Sequence, residues 1–205
     1  MGARISTGSD SKQDYRSPAD FMEAVTKRFG PIAFDLAAHA GNKQSPNYFA
    51  PCTGPAGPLP LDKDAFGMDA FDHSWSLLSD SLFARKKEHG RHVRGLLWLN
   101  CEFNDIEAWA RRCCREAGLG ASILLLTPAA VGANWFRDLI AGHGDIYLLN
   151  GRLSFIPGRP TTRTACSRTS TRASTIAMRS WGPRWRPRSS SASGTGATIS
   201  SAQDG

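Results

Sequence analysis

The chain has 205 residues, of which 40% are hydrophobic and 21% charged, and it carries a formal net charge of +7. That length suits one domain with a sizeable core and room for a tail. No apolar run approaches membrane-spanning length, and the first residues are polar with no apolar signal segment, so a membrane protein and a secreted protein are set aside and a cytoplasmic location is expected. The charge is unevenly placed. Residues 161–205 hold seven Arg and one acid, Asp204, which leaves 18 basic and 17 acidic side chains in residues 1–160. The basic excess that would suggest a nucleic-acid partner therefore belongs to the tail, and the body is nearly neutral. Cys52, Cys101, Cys113, Cys114 and Cys166 fall at no disulfide-framework or zinc spacing and read as reduced thiols. The five histidines are scattered, and no metal site is expected.

Residues 1–13 are expected to be disordered, and the domain to run over residues 14–158. Ser17-Pro18 opens a helix, with Ser17 as cap and Pro18 at its first position, and Phe21, Met22, Val25 and Phe29 form its apolar face. Gly30-Pro31 ends it. Ile32-Ala33-Phe34 is a short strand stopping at Asp35. Residues 50–68 are rich in Pro and Gly and read as a long surface loop. The basic stretch of residues 85–94 is an exposed turn ahead of an apolar strand, Gly95 to Leu99. Asp105 to Ala117 is a helix with Ile106, Trp109 and Ala110 inward and Arg111, Arg112 and Arg115 outward. Ser122 to Leu126 reads as a fully buried strand stopping at Thr127-Pro128, and Asn134 to Ala141 as a helix. Asp145 to Leu149 is a further strand, which Arg152 to Ile156 joins through the Asn150-Gly151 turn signal. Strands alternating with helices predict an α/β fold with a doubly wound, mostly parallel sheet, incomplete at its C-terminal strands.

Residues 159–205 read differently. From Thr161 onward there is no Leu, Val, Phe or Tyr, and the segment is built from Ser, Thr, Arg, Ala and Gly. Such a composition cannot bury enough apolar surface to offset chain entropy, so disorder is expected. An Arg-rich arm with stacking Trp181 and Trp185 is one functional reading. Another follows from codon degeneracy. Joining each codon's last base to the next two bases permits Pro160 to Ser167 to read Y-N-K-D-C-M-L, and Ala192 to Thr198 to read F-W-D-W-R-D. The aromatic and apolar residues that a last strand needs are thereby recovered, and translation out of frame after about Pro160 is the favoured account.

The stretch Gly95-Leu96-Leu97-Trp98-Leu99-Asn100-Cys101-Glu102-Phe103 is the most informative. An apolar strand stops abruptly at an Asn, and an aromatic follows three residues later. Ligands of open α/β sheets bind beyond the carboxyl ends of the strands. A carboxamide there offers a donor and an acceptor, and a Phe face can stack on a planar ring, a pair that suits a nucleobase. The same residues also read as a plain strand followed by a helix N-cap.

Several motifs line up around it in order: Ser17-Pro18, Asp35-Leu36-Ala37-Ala38, Tyr48-Phe49-Ala50-Pro51, Asp69-Ala70-Phe71 with Trp75, Leu99-Asn100 with Phe103, Leu126-Thr127-Pro128, Trp135-Phe136 and Arg152-Leu153-Ser154-Phe155. As a set they resemble the phage-type DNA N6-adenine methyltransferase family. The resemblance implies a class I, Rossmann-like methyltransferase fold, S-adenosylmethionine as cofactor and double-stranded DNA as partner, in a bacterial cell carrying a phage or prophage gene. It places Asp35 and Ala37 at the cofactor, Ser17 and Pro18 beside its methionine end and Asp69 near its adenosine. It assigns Asn100 and the carbonyl of Cys101 as acceptors for the adenine amino group, with Phe103 stacking on a base that has left the helix. Where the family has two prolines, this chain has Cys101-Glu102, which removes two φ restraints and adds a carboxylate near a polyanionic substrate. The nearby Arg85-Lys86-Lys87 and Arg111-Arg112 could offset that repulsion. Asp35 as a helix N-cap and Trp75 as plain core are the bland readings. The rival functions are an inactive nucleic-acid-binding remnant, and an amino-methyltransferase acting on cytosine N4 or a protein amide.

Overall fold

The computed structural model describes residues 15–51, 53–54, 57–58, 61–82, 85–86, 92–150, 153–157 and 174–178. Its main elements are, in chain order, α1 (Ala19–Phe29), β1 (Ile32–Asp35), β2 (Leu96–Leu99), α2 (Ile106–Gly118), β3 (Ser122–Thr127), α3 (Asn134–Leu139) and β4 (Ser174–Met178). The two apolar runs seen in the sequence become β2 and β3, which pair in parallel with Leu97 beside Ile123 and Leu99 beside Leu125. On the other side β2 pairs in parallel with β1, setting Asp35 beside Trp98. The sheet order is β4-β3-β2-β1.

Both faces of this sheet are covered, which is why its strands read as unbroken apolar runs. Leu97, Leu99, Ile123 and Leu125 point to one face and pack with Ala110, Cys113 and Ala117 of α2 and Phe136 of α3. Leu96, Trp98, Leu124 and Leu126 point to the other and meet Met22 and Val25 of α1. Burying each such side chain contributes about 1.5–3 kcal/mol. The molecule is therefore a mixed α/β structure with an open, mostly parallel sheet. α1 stops where Gly30 takes φ 101 and its N–H returns to the Thr26 carbonyl, the glycine stop foreseen in the sequence.

Beyond β1 the parallel arrangement continues in short pieces. Tyr48 bridges Asp35 in parallel, and Phe49–Ala50 pairs in parallel with Gly67–Met68. At the amino ends of β2 and β3, the buried Ser79 hydroxyl donates to the Gly95 carbonyl at 2.7 Å and accepts the Ser122 N–H at 2.9 Å. Among the described residues no helix is long and apolar enough to cross a membrane, and no group of three or more His, Cys, Asp or Glu could hold a metal ion.

Three expectations are corrected. Residues 145–149 form no strand, and no 145–149/152–156 hairpin is seen among the described residues; Ile156–Pro157 pairs antiparallel with Tyr15–Arg16 instead. Tyr147 packs on the α1 face while Ile146 and Leu148 are exposed. Within the tail read as disordered, Ser174–Met178 is a strand antiparallel to β3 along all five residues, since an exposed β3 edge offers a ladder of unpaired backbone groups. The remainder of 159–205, and residues 1–14, lie outside the described residues. Finally, Arg112 does not face outward. Its side chain is 17% exposed and turns in toward Glu116.

Candidate active site

Parallel pairing brings the carboxyl ends of β1, β2 and β3 to one edge, and the sequence-nominated residues gather there. Asp35 ends β1, and the residue after it, Leu36, donates its N–H to the Trp98 carbonyl of β2 at 2.9 Å. Asn100 follows the last residue of β2 directly. Ala38 N–H donates to Phe49 O and Asp69 N–H to Ala50 O, which ties the Asp69 turn to the same edge. α1 brings its first turn there too, with the Phe21 ring 6.2 Å from that of Trp98. Ser17, Pro18, Asp35, Ala37, Asp69 and Asn100–Phe103 thus border one edge, from segments well separated in sequence.

Asp35 is 2% exposed and begins no helix, which disposes of the N-cap reading. Its Oδ2 accepts the Gln44 N–H at 2.9 Å and its Oδ1 the Ala37 N–H at 3.3 Å, so the carboxylate closes the 36–44 loop upon itself. Ser45 Oγ and Asn47 Nδ2 both donate to the Ala33 carbonyl and fasten the end of that loop to β1. Burial pushes the Asp35 carboxyl up to about 7, outweighing the two backbone hydrogen bonds that favour its charged form. A carboxylate buried like this, with no cation beside it among the described residues, is costly, and such groups concentrate at functional sites.

Ser17 behaves differently from its expected capping role. Pro18 is the N-cap of α1, its carbonyl accepting the Met22 N–H at 3.0 Å, and no side chain caps the helix. The Ser17 hydroxyl is buried and has no hydrogen-bond partner among the described residues. A buried polar group left unpaired costs about 1–3 kcal/mol, so it is a group in want of a ligand. Asp69 takes φ 50 and ψ 105, a sparsely allowed conformation for a residue with a side chain, while its Oδ1 accepts the Phe71 N–H at 2.9 Å.

At the end of β2, Asn100 is half-buried, and its carboxamide makes no hydrogen bond to the described residues. Cys101 packs into the core, where burial raises its thiol well above the ordinary value, so its sulfur is no nucleophile. Glu102 is exposed and has φ −63 and ψ 128. That φ is the one a proline ring would impose, so the loop keeps a proline-like course at this position without the ring. Phe103 is half-buried and starts the short turn Phe103–Asp105 that leads into α2.

The charges around this edge do not favour a phosphate backbone. Glu102 and Asp105 are exposed, Arg111 is engaged by Glu107 at 2.9 Å, and Arg112 faces inward. The side chains of residues 85–87 lie outside the described set. Trp75 is fully buried, its indole N–H donating to the Ala70 carbonyl at 2.8 Å, so the core reading of this residue stands. Sequence reasoning missed Glu116. It is 2% exposed and accepts the N–H groups of Trp75 and Ser76 with one oxygen. Its only signal was a carboxylate on the apolar side of α2, three residues after the buried Cys113.

No known protein family matches the chain, and no curated protein or solved structure does so either.

Proposed function

We propose that the chain is an S-adenosylmethionine-dependent DNA methyltransferase of phage or prophage type, acting in the bacterial cytoplasm on the N6 amine of adenine in double-stranded DNA, and that its sheet is the core of a Rossmann-like methyltransferase fold. The observation that carries the proposal is the half-buried Asn100 carboxamide at the end of β2, which makes no hydrogen bond to the described residues, with the buried Asp35 carboxylate ending the neighbouring strand. Polar groups unsatisfied at the carboxyl edge of a parallel sheet are what a polar ligand requires.

The residues fit such a cofactor. Asp35 retains lone pairs for hydroxyl or ammonium donors, and the buried Ser17 hydroxyl lies beside the first turn of α1, whose dipole suits the carboxylate of a methionine moiety although Asp20 already takes the Phe21 N–H at 2.8 Å. Asp69 extends the polar rim toward an adenosine. The bound cofactor supplies an electrophilic methyl group on a sulfonium. Asn100 Oδ1 and the Cys101 carbonyl accept hydrogen bonds from the adenine amino group. These hold its lone pair in line with the methyl and stabilise the charge that develops on nitrogen. Phe103 provides a face for the flipped ring, which has lost its stacking partners in the duplex.

The test is incubation with methyl-labelled S-adenosylmethionine and unmethylated duplex DNA, followed by nucleoside analysis. Labelled N6-methyl-2′-deoxyadenosine that disappears in Asn100→Ala supports the proposal. Label in cytosine N4, or only in added protein, replaces it. The exposed carboxylates Glu102 and Asp105 favour a second reading, methyl transfer to a protein amide, because an uncharged acceptor is not repelled by them.

A further inference from the structure

We infer that the buried Arg112–Glu116 pair of α2 is a positioning device, which holds the 69–76 turn against α2 and thereby sets where Asp69 presents its carboxylate relative to Asn100. The inference rests on the methyltransferase reading for its functional consequence, though its structural part stands alone.

Glu116 Oε2 accepts the N–H of Trp75 at 3.1 Å and of Ser76 at 3.0 Å, so it caps the short helical turn Trp75–Leu77 from a different element. Glu116 Oε1 faces Arg112 Nε at 3.1 Å, an electrostatic contact whose N–H is not aligned with the oxygen. Arg112 Nη2 donates to the His73 carbonyl at 2.5 Å, and its guanidinium lies 5.4 Å from the centre of the Trp75 ring. From Trp75 the tether runs to Asp69 in one step, because the indole N–H holds the carbonyl of Ala70, the next residue. A second contact closes the frame nearer the edge, where Phe71 meets Trp109 in the first turn of α2 at 4.5 Å.

Two arguments make this more than core packing. A buried ion pair contributes little net stability, since desolvation offsets the attraction, so its effect lies in fixing the position of what it binds. The backbone of Asp69 is strained, and such a conformation persists only when its surroundings over-determine it. The network supplies that determination. Because α2 begins just past Phe103, the same helix carries the Asn100 loop at its start and the Asp69 turn along its side.

The test compares Glu116→Gln with Ser79→Ala, which removes two buried hydrogen bonds at the opposite, amino edge of the sheet. Amide hydrogen exchange is read at residues 69–76, and S-adenosylhomocysteine affinity by calorimetry. Glu116→Gln is expected to lose protection selectively at 69–76 and to weaken the ligand about tenfold, with kcat at saturating cofactor within about twofold of wild type. Ser79→Ala is expected to lower thermal stability and leave both untouched. Unchanged exchange at 69–76 in Glu116→Gln, or equal loss of affinity in the two variants, overturns the inference. A wild-type protein that binds no S-adenosylhomocysteine overturns the methyltransferase reading instead, and the exchange data alone then decide the coupling.

Discussion

Asp35 offers the most direct test of whether the carboxyl edge is built for a ligand. Its carboxyl stands at about 7 in the fold against 3.8 for the ordinary group. At about 1.36 kcal/mol for each unit, keeping it ionised in the ligand-free fold costs on the order of 4 kcal/mol. Because the folded value lies above the unfolded one, the native protein keeps a proton that the unfolded chain releases between about pH 4 and pH 7. This contribution to stability is therefore fully present below pH 4, declines as pH rises through that window and is flat above it. Asp35→Asn removes the titration. It retains one acceptor for Gln44 N–H and turns an NH2 toward Ala37 N–H, a pH-independent cost of about 1 kcal/mol. Urea unfolding followed by Trp fluorescence at pH 4.5, 6, 7 and 8 gives the difference in stability between the two proteins. That difference is expected to shift toward Asp35→Asn by several kcal/mol between pH 4.5 and pH 8, with most of the change between pH 5 and 7. Saturating S-adenosylmethionine at about 100 times its Kd then stabilises wild type by about 2.7 kcal/mol and the variant by much less. A difference that is flat with pH would refute the argument that the Asp35 charge is buried at a cost.

Further outcomes follow from other positions. Asn100→Ala is expected to lower kcat by about 100–1,000-fold with little change in cofactor affinity, since it removes one positioned acceptor; steady-state kinetics on duplex DNA check this. Glu102→Pro is expected to raise stability by about 0.4–1 kcal/mol in chemical unfolding, because φ −63 already suits the ring. It also removes an exposed negative charge beside Asn100, so if DNA is the substrate its affinity at low salt should rise in a filter-binding titration. Ser17→Ala is expected to stabilise the ligand-free fold by about 1 kcal/mol, by removing an unpaired buried hydroxyl, while weakening S-adenosylmethionine in calorimetry. Restoring the alternative reading frame after Pro160 is expected to raise the thermal midpoint by several degrees in a differential scan, and an unchanged midpoint counts against the out-of-frame account.

What was legible in the sequence is what depends on burial of continuous or periodic apolar surface. β2 and β3 show as unbroken runs because helices cover both faces, and α1 shows through Met22 and Val25 at helical spacing. What was illegible depends on which partner a segment finds across the fold. Residues 145–149 are an apolar run that reads as a strand, yet among the described residues they form no strand, with Ile146 and Leu148 exposed and Tyr147 packed on the α1 face. Ser174–Met178 is a short run inside a polar, Arg-rich segment, and it pairs along the open edge of β3. The site divides in the same way. The Asp35 and Asn100 strand ends could be read from an apolar run broken by a polar residue. Glu116 could not, because its chemistry is contact with backbone N–H groups 40 residues away. Those amides belong to the turn that follows Asp69, so the legible and illegible halves of the site are joined through one helix. If the proposed coupling holds, Asp69 and Asn100 can both be present and the site still fail when α2 releases that turn. Glu102 is the converse case: no proline stands there, yet its backbone holds φ −63, the angle that a proline ring would enforce.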